Sequence, residues 1–531
     1  MDEFDFVVVG AGSAGGPVVD RLTESGRFSV LLLEAGPDDT SRWISMPLGF
    51  AKTFLDPSVN WKYTTAPEDR LGGRRIYWPR GKVLGGSSAI NGMVYIRGLP
   101  SDFDGWRQRG NEGWSFDDCL PYFKRLEHYP DGESELHGGS GRVKITQGEY
   151  RNELSDSFLA ACAEVGLNQT DDFNGMSQEG AGYYHATISG GRRNSTGRAY
   201  IAAARKRSNC HVVTGAMAER IVVENGRATG VAYRRGGETR TARARREVVL
   251  CSGAIGSPQL LQLSGIGPGA LLNLHGIPVV RELRGVGENL QDHWGVPSTY
   301  RTWWRLTIND DINTLHRRVS AALEYVLLKT GPLTASPAFA GAFTRLMPQS
   351  AEADTQFHFF PWSTDRIDRG PHDFSGFTIL ANQSRPESRG HIRIVSPKAE
   401  DHPEIVANYL STLGDQQAVV AAVRFARVLA RTPALTRIIT EELLPGTEVW
   451  NDTDFLDYAK RQGQSAYHPV GTCRMGHDPD AVVDPRLKVH GIEGLRVADG
   501  SIMPTLVSGN TNAACMMIGE KAADLILADA R

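Results

Sequence analysis

The sequence has no basic block and almost no charge imbalance. Its formal net charge is −3 over 531 residues, which argues against a nucleic-acid partner. It has no CxxC pair. The six cysteines, Cys119, Cys162, Cys210, Cys251, Cys473 and Cys515, are widely spaced, so neither a zinc site nor a redox dithiol is indicated and buried free thiols in a reducing compartment are expected. No HExxH or similar ligand spacing occurs, so no metal is expected. No apolar stretch approaches the length needed to span a bilayer. The small apolar run Phe6–Val19 is preceded by Asp2, Glu3 and Asp5, where a secretion signal would carry Lys or Arg. These absences point to a cytoplasmic protein without a transmembrane segment, a peripheral membrane contact staying open. Asn194-Ser195-Thr196 matches a glycosylation acceptor and, without a signal, is read as chance.

Glycine is plentiful, with 58 residues, as expected of a fold with many tight turns or close backbone approaches. The length calls for two domains or one unusually large one. At the start, the apolar run Phe4–Gly10 suits a strand buried on both faces. Gly10-Ala11-Gly12-Ser13-Ala14-Gly15 follows, then a helical stretch from about Gly16 to Thr23, then a second apolar run, Phe28–Leu33, ending in Glu34 and Ala35. This is a strand–turn–helix–strand unit with GxGxxG at the turn. Gly10 permits the sharp turn, Gly12 lets backbone approach a pyrophosphate, and Gly15 lets the helix pack on the strand. The helix N-terminus offers free N–H groups to phosphates. Glu34, about twenty residues on, is placed to accept hydrogen bonds from ribose hydroxyls. A dinucleotide site follows, with FAD and NAD undistinguished at this point and NADP disfavoured.

Three further stretches carry chemistry. RGKVLGGSSAINGMVYIRG at Arg80–Gly98 holds a small-residue loop suited to close approach. CSGAIGSPQLLQLSGIGP spans Cys251–Pro268. YHPVGTCRMG at Tyr467–Gly476 is followed by VVDPRLKVHGIEGLRVADGSIMP and SGNTNAACMMIGEKAADLI. Together with GAGSAGG, the order and spacing of these segments resemble the glucose–methanol–choline (GMC) oxidoreductases along essentially the whole chain, and phrases such as MPLGFAKTF and DFNGMSQEGAGYY are similar to bacterial choline-dehydrogenase-like and sorbose-dehydrogenase-like members.

The resemblance implies an α/β Rossmann-like FAD-binding domain assembled from residues 1–146, 206–293 and 463–531. It implies a discontinuous α+β substrate domain, 147–205 and 294–462, on a mostly antiparallel sheet. It also implies oxidation of an alcohol, either a primary alcohol, a polyol or a sugar, with oxygen or a quinone or other carrier as electron acceptor. Carried over residue by residue, it assigns Gly10, Gly12, Ser13, Ala14, Gly15, Glu34 and Ala35 to the adenosine and pyrophosphate. Val83, Gly86, Asn91, Gly92, Met93 and Val94 fall to the flavin segment, Ala218 to the adenine side, and Asp499 and Gly500 to the turn beside the phosphates and ribityl chain. His468 matches the catalytic histidine and Asn510 its partner. Members with histidine-linked flavin carry that histidine just before the residue matching Asn91. Ile90 stands there, so FAD is expected to be non-covalent.

A neutral imidazole suits removal of a hydroxyl proton near neutral pH, and an amide suits holding the oxygen as charge develops. Pro469 keeps His468 out of helical geometry, as suits a loop-borne residue. His477 and His490 are read as surface or packing residues. In the substrate region, Ser388–Val395 and Gln356–Phe360 alternate like strands, and Trp303, Trp304, Phe357, Phe359, Phe360 and Trp362 are candidates to wall a pocket, with Tyr467 the stronger one. Asp415–Arg431 reads as an amphipathic helix. Two other readings compete: an FAD-containing lyase or photodecarboxylase of the same fold, and a flavin-bearing binding protein without turnover. The His–Asn pair favours alcohol oxidation over both.

Overall fold

The computed structural model describes residues 3–147, 150–365 and 369–530; Asp2 of the acidic flank lies outside them. The β-branched run forms strand β1 (Glu3–Val9), the glycine turn leads into helix α1 (Gly15–Glu24), and the chain returns through β2 (Val30–Leu33). These elements centre one seven-stranded sheet. In it Cys210–Val213, β2, β1 and Glu238–Leu250 run parallel side by side, and Leu495–Val497 adds to the last of them, also parallel. Arg227–Arg235 and Met217–Glu224 extend the sheet antiparallel. Phe6, Val7, Val8 and Leu31–Leu33 are almost fully buried, as expected of strands covered on both faces.

A second seven-stranded sheet is antiparallel throughout. Its order is Ile439–Leu444, Trp294–Thr302, Gly376–Gln383, Thr355–Phe360, Ala340–Thr344 and Gly180–Tyr183, with Gln464–Ser465 beside Trp294–Thr302. Side chains alternate across each strand. Phe357, Phe359, Phe377 and Ile379 face Leu154, Phe158, Ala422, Ala426 and Leu429 of the helices Glu153–Glu164 and Leu413–Ala430. The helix expected at Asp415–Arg431 is the second of these. Of the strand expected at Ser388–Val395, only His391–Arg393 is formed.

The alternation corrects one expectation. Phe357 and Phe359 are fully buried under the helices and do not wall a pocket. Their neighbours His358 and Phe360 point to the other face. Trp303 is 60% exposed and Trp304 packs on the helix-covered core, so neither walls the cavity. All six cysteines are unpaired. Among the described residues no helix is long and apolar enough to cross a membrane.

Candidate active site

A cavity of about 450 Å³ lies between the two sheets. One end is formed where the parallel strands stop, at Val9, Gly10, Leu33, Glu34 and Cys251, the place where open α/β sheets take ligands. The other end is walled by Pro297, Thr299, His358, Phe360, Thr378 and Leu380 of the antiparallel sheet.

At the first end the backbone is drawn very close. Gly10 has φ +100°, and a Cβ there would overlap the Cys251 carbonyl. A Cβ on Gly15 would run into the carbonyl of Gly10. Gly12, Ser13 and Ala14 line the cavity at the start of α1, whose N-cap residue Ala14 makes no side-chain capping bond and whose first turn carries no acid. Unengaged amides and a helix dipole therefore face the cavity without a competing carboxylate, as anionic phosphates require. Glu34 accepts N–H groups from Ala11 (3.0 Å) and Gly36 (2.9 Å), one on each oxygen, leaving each oxygen a further lone pair. Burial pushes its carboxyl up to about 7, against the lowering effect of the Gly36 and Ala11 N–H groups, Lys82 and the Ala35 N–H. Ala35, Ala218 and Gly500 also line this part. These features fit the adenosine and pyrophosphate of a dinucleotide.

Asp499 lines the cavity, but its carboxylate is held by the protein: Oδ2 accepts from Gly253 N (2.8 Å) and Ser257 Oγ (2.6 Å), Oδ1 from Ser501 N (2.8 Å). It shapes two turns at the cavity wall. Val83 is a second correction: it is fully buried among Phe50, Phe54, Val59 and Ile90 and does not reach the cavity. Gly86, Ile90, Asn91, Gly92, Met93 and Val94 do. Met93 has φ +63°, uncommon for a side chain of its size. Asn91 Oδ1 holds that bend by accepting Met93 N (3.0 Å), and Arg193 Nη1 donates to Asn91 Oδ1 (2.8 Å) and to its carbonyl (2.7 Å).

His468 and Asn510 meet where the two halves of the cavity join. Asn510 Nδ2 lies 3.1 Å from His468 Nε2. Gln356 Nε2 donates to Asn510 Oδ1 (3.2 Å) and to the Tyr184 hydroxyl (3.1 Å), so the amide of Asn510 presents its NH2 group to His468. On its other side, His468 Nδ1 is 2.9 Å from Nδ1 of His293, whose Nε2 is 2.8 Å from the Ser384 carbonyl. The backbone N–H of His468 donates to Asp292 Oδ1 (2.7 Å). Tyr467 carries φ +67°; its N–H donates to Ser465 Oγ (2.7 Å) and its carbonyl accepts from Arg80 Nη2 (2.6 Å). Burial, then the neighbouring His293, His358 and Arg80, hold the pKa of His468 well below the ordinary imidazole value. Burial alone accounts for most of the shift of His358, down to about 3, with His293 adding to it.

Rings form a chain along the outer wall: Tyr467 to Phe54 (5.6 Å between centroids), Phe54 to Phe50 (5.5 Å), Phe50 to Trp362 (6.2 Å) and Trp362 to Phe360 (5.5 Å). Phe50, Phe54 and His358 were not singled out from sequence. The first two sit in MPLGFAKTF, and the third in the QFHFF run, where only the strand's facing decides. Among the described residues no cluster of His, Cys, Asp and Glu is placed to hold a metal.

A Rossmann-like half closed by an antiparallel sheet, with a histidine and an amide over the join, defines a nucleotide-dependent oxidoreductase. The chain belongs to the GMC oxidoreductase family, whose models match residues 4–295 and 386–519. It is 42% identical over 531 residues to an oxygen-dependent choline dehydrogenase of Vibrio vulnificus, covering 99% of this chain and 95% of the relative. It is also 42% identical to one of Burkholderia cenocepacia, covering 99% and 93%. Among solved structures it resembles pyridoxine 4-oxidase from Mesorbium loti (TM-score 0.88, 30% identity, 98% of both chains) and a fungal aryl-alcohol oxidase (TM-score 0.87, 26% identity, 100% of this chain and 99% of the other). The protein is thus an FAD-dependent oxidoreductase acting on CH–OH donors.

Proposed function

We propose that the chain oxidises a primary alcohol to its carbonyl, with His468 as base and Asn510 orienting the hydroxyl. The observation that carries this is the pair of nitrogens, Nε2 of His468 and Nδ2 of Asn510, 3.1 Å apart at the cavity wall. An alcohol entering between them replaces their mutual hydrogen bond. Its proton passes to the Nε2 lone pair, and the Asn510 N–H donates to the oxygen as negative charge builds there. His468 enters unprotonated at neutral pH because its pKa is held low. When bound, FAD supplies the acceptor for the hydride that leaves the carbinol carbon. Gly10, Gly12, Ser13, Ala14, Glu34, Ala35 and Ala218 would hold its adenosine and pyrophosphate, Gly15 serving by letting α1 pack closely on the strand, and Gly86, Asn91–Val94, Asp499 and Gly500 its flavin half. Ile90, 1% exposed on the cavity wall, offers only hydrocarbon to the ring, which supports non-covalent FAD.

The five-ring wall favours a compact apolar or quaternary-ammonium tail over a polyhydroxylated sugar, since aromatic faces attract both. His358, 5% exposed with Nδ1 lacking a partner among the described residues, would meet a polar atom of the substrate. Choline is the first candidate, from the relatives' names. A neutral benzylic alcohol is the second reading, favoured by the positive charge of the half-buried Arg80 on the same wall. Dioxygen is the acceptor to try first, again from the relatives' names. We read residues 1–146, 206–293 and 463–531 as the FAD-binding unit and 147–205 with 294–462 as the substrate unit, a division supported by the two sheets. Pairing across it is limited, among the described residues, to Gln464–Ser465 with Trp294–Gly295, Thr146 with Ala186, and the single bridges Val94–Ala186 and Leu290–Gly390. Cytoplasmic residence is supported by six unpaired cysteines.

The test is anaerobic mixing of the yellow holoenzyme with choline, benzylic alcohols, polyols and sugars while following flavin absorbance. Bleaching by a primary alcohol, with His468→Ala slower by about 10²–10⁴-fold at unchanged FAD content, supports the reading. Reduction of His468→Ala within a few-fold of the parent removes His468 as base. A flavin that no alcohol bleaches but dithionite reduces brings the lyase and photodecarboxylase readings forward.

A further inference from the structure

The neighbour of His468 on the side away from the cavity is itself a histidine. His293 is fully buried at the foot of the strand Trp294–Thr302, and both its ring nitrogens are engaged. Nε2 lies 2.8 Å from the carbonyl oxygen of Ser384. A carbonyl can only accept, so that nitrogen must carry the proton. In a neutral ring Nδ1 is then a bare lone pair. Burial, only partly countered by the Ser384 carbonyl, pushes the His293 pKa down to about 4, which keeps the ring neutral.

The 2.9 Å contact between the two Nδ1 atoms requires one proton between them. His293 has none to give there, so it comes from Nδ1 of His468. The consequence falls on the far side of the His468 ring. With Nδ1 protonated, a neutral His468 has its lone pair at Nε2, the atom that faces Asn510. The Asn510 amide, oriented by Gln356, donates to that same lone pair. The opposite tautomer would set two bare nitrogens against each other at Nδ1 and two N–H groups against each other at Nε2. Both contacts therefore select one tautomer. Asp292, the residue before His293, fixes the other degree of freedom by accepting the His468 backbone N–H, while Ser465 and Tyr409 donate to its second oxygen.

We propose that His293 is a positioning residue for alcohol oxidation: it holds His468 in the tautomer whose Nε2 can take the substrate proton. This rests on His468 being the base. It gives the pair a further property. The carbonyl of Ser384 cannot accept a proton, so a proton taken from substrate stays within the His468–His293 pair and leaves by Nε2, the side it entered. His293 steadies the imidazolium by accepting from it and provides no exit to solvent.

Two measurements test this on the holoenzyme. Imidazole ¹⁵N spectra of histidine-labelled protein, with the His468 signals identified by their loss in His468→Asn, should show His468 protonated at Nδ1 and bare at Nε2. Anaerobic flavin reduction by the best alcohol should be slower in His293→Leu on the order of 10²-fold at saturating substrate, the low end of what a positioned base contributes, because the Asn510 amide still favours the same tautomer. KM and FAD content should stay within about two-fold of the parent, since His293 lies outside the cavity lining. His293→Gln, whose side-chain oxygen can accept the Nδ1 proton, should recover most of the rate. Overturning results are a His468 protonated at Nε2 in the parent enzyme, or a folded His293→Leu reduced within about three-fold of the parent rate. If His293→Leu does not fold, the parent spectrum and the Gln variant decide. If His468→Ala keeps its rate while the Nδ1 tautomer is seen, the base assignment has failed and takes this role for His293 with it, although the hydrogen bond itself stands.

Discussion

Glu34 shows how one side chain can couple a cofactor to pH. Burial raises its carboxyl from 4.5 to about 7. A raised carboxyl contributes stability that is complete below its unfolded value and is lost as pH rises through the folded one; for the apoprotein that window is about 4.5 to 7. Ribose hydroxyls that donate to Glu34 favour the ionised form and reverse the trend. FAD uptake should therefore release a proton, and affinity should rise with pH up to about 7, by no more than about tenfold per pH unit. Fluorescence titration of apoprotein between pH 5.5 and 8 reads this directly. Glu34→Gln should bind more weakly and without that slope. A shared slope would mean that another group is responsible.

The turn between β1 and α1 does its work through what is missing from it. A methyl on Gly15 meets the Gly10 carbonyl, which is backbone and cannot rotate away. Gly15→Ala should therefore push α1 off the sheet, costing on the order of 3 kcal/mol, with flavin lost on gel filtration. An equally stable variant that keeps its flavin would show that the helix has slack. This element was legible in sequence because its chemistry is local: glycines at fixed spacing, a β-branched run, an acid after the second strand. His468 and Asn510 were legible by resemblance. The strand Thr355–Phe360 was legible as a strand but not as to facing. In QFHFF every position but the first is aromatic or histidine, so the run has no polar face to mark the outside, and both faces of the strand are buried, one by helices and one by the cavity. A shift of one residue exchanges the two sets, and that is why Phe357 and Phe359 were named beside Phe360 while His358 was missed. His293 was invisible for another reason: its role depends on Ser384, ninety-one residues further on.

On the scale of the molecule, the C-terminal helix Asn512–Asp529 lies against α1 and closes the first sheet. Its Glu520 is fully buried. It accepts from Arg21 (2.8 and 3.1 Å), Arg125 (2.7 Å) and the Tyr200 hydroxyl (2.8 Å), tying four distant stretches of chain together. Removing it takes the buried partner from two guanidiniums and leaves Arg21 with Glu24 and Arg125 with Asp524, both more exposed. Glu520→Ala should cost about 3 kcal/mol, the lower end of the range for broken buried pairs because Arg125 keeps some contact with water. Chemical denaturation followed by flavin fluorescence checks this; a loss below about 0.5 kcal/mol would show the arginines re-paired at the surface.

The same closure has a meaning for how the protein is made. The flavin cavity draws Gly10 and Glu34 from one stretch of chain and Asp499 and Asn510 from another, Asp499 standing 465 positions after Glu34. Until the later stretch has been made, the cavity has its floor but neither the Asp499 turn nor the partner of its base. Cofactor capture must wait until both stretches have been made and have met, and the yellow colour of a preparation becomes a count of molecules in which they have.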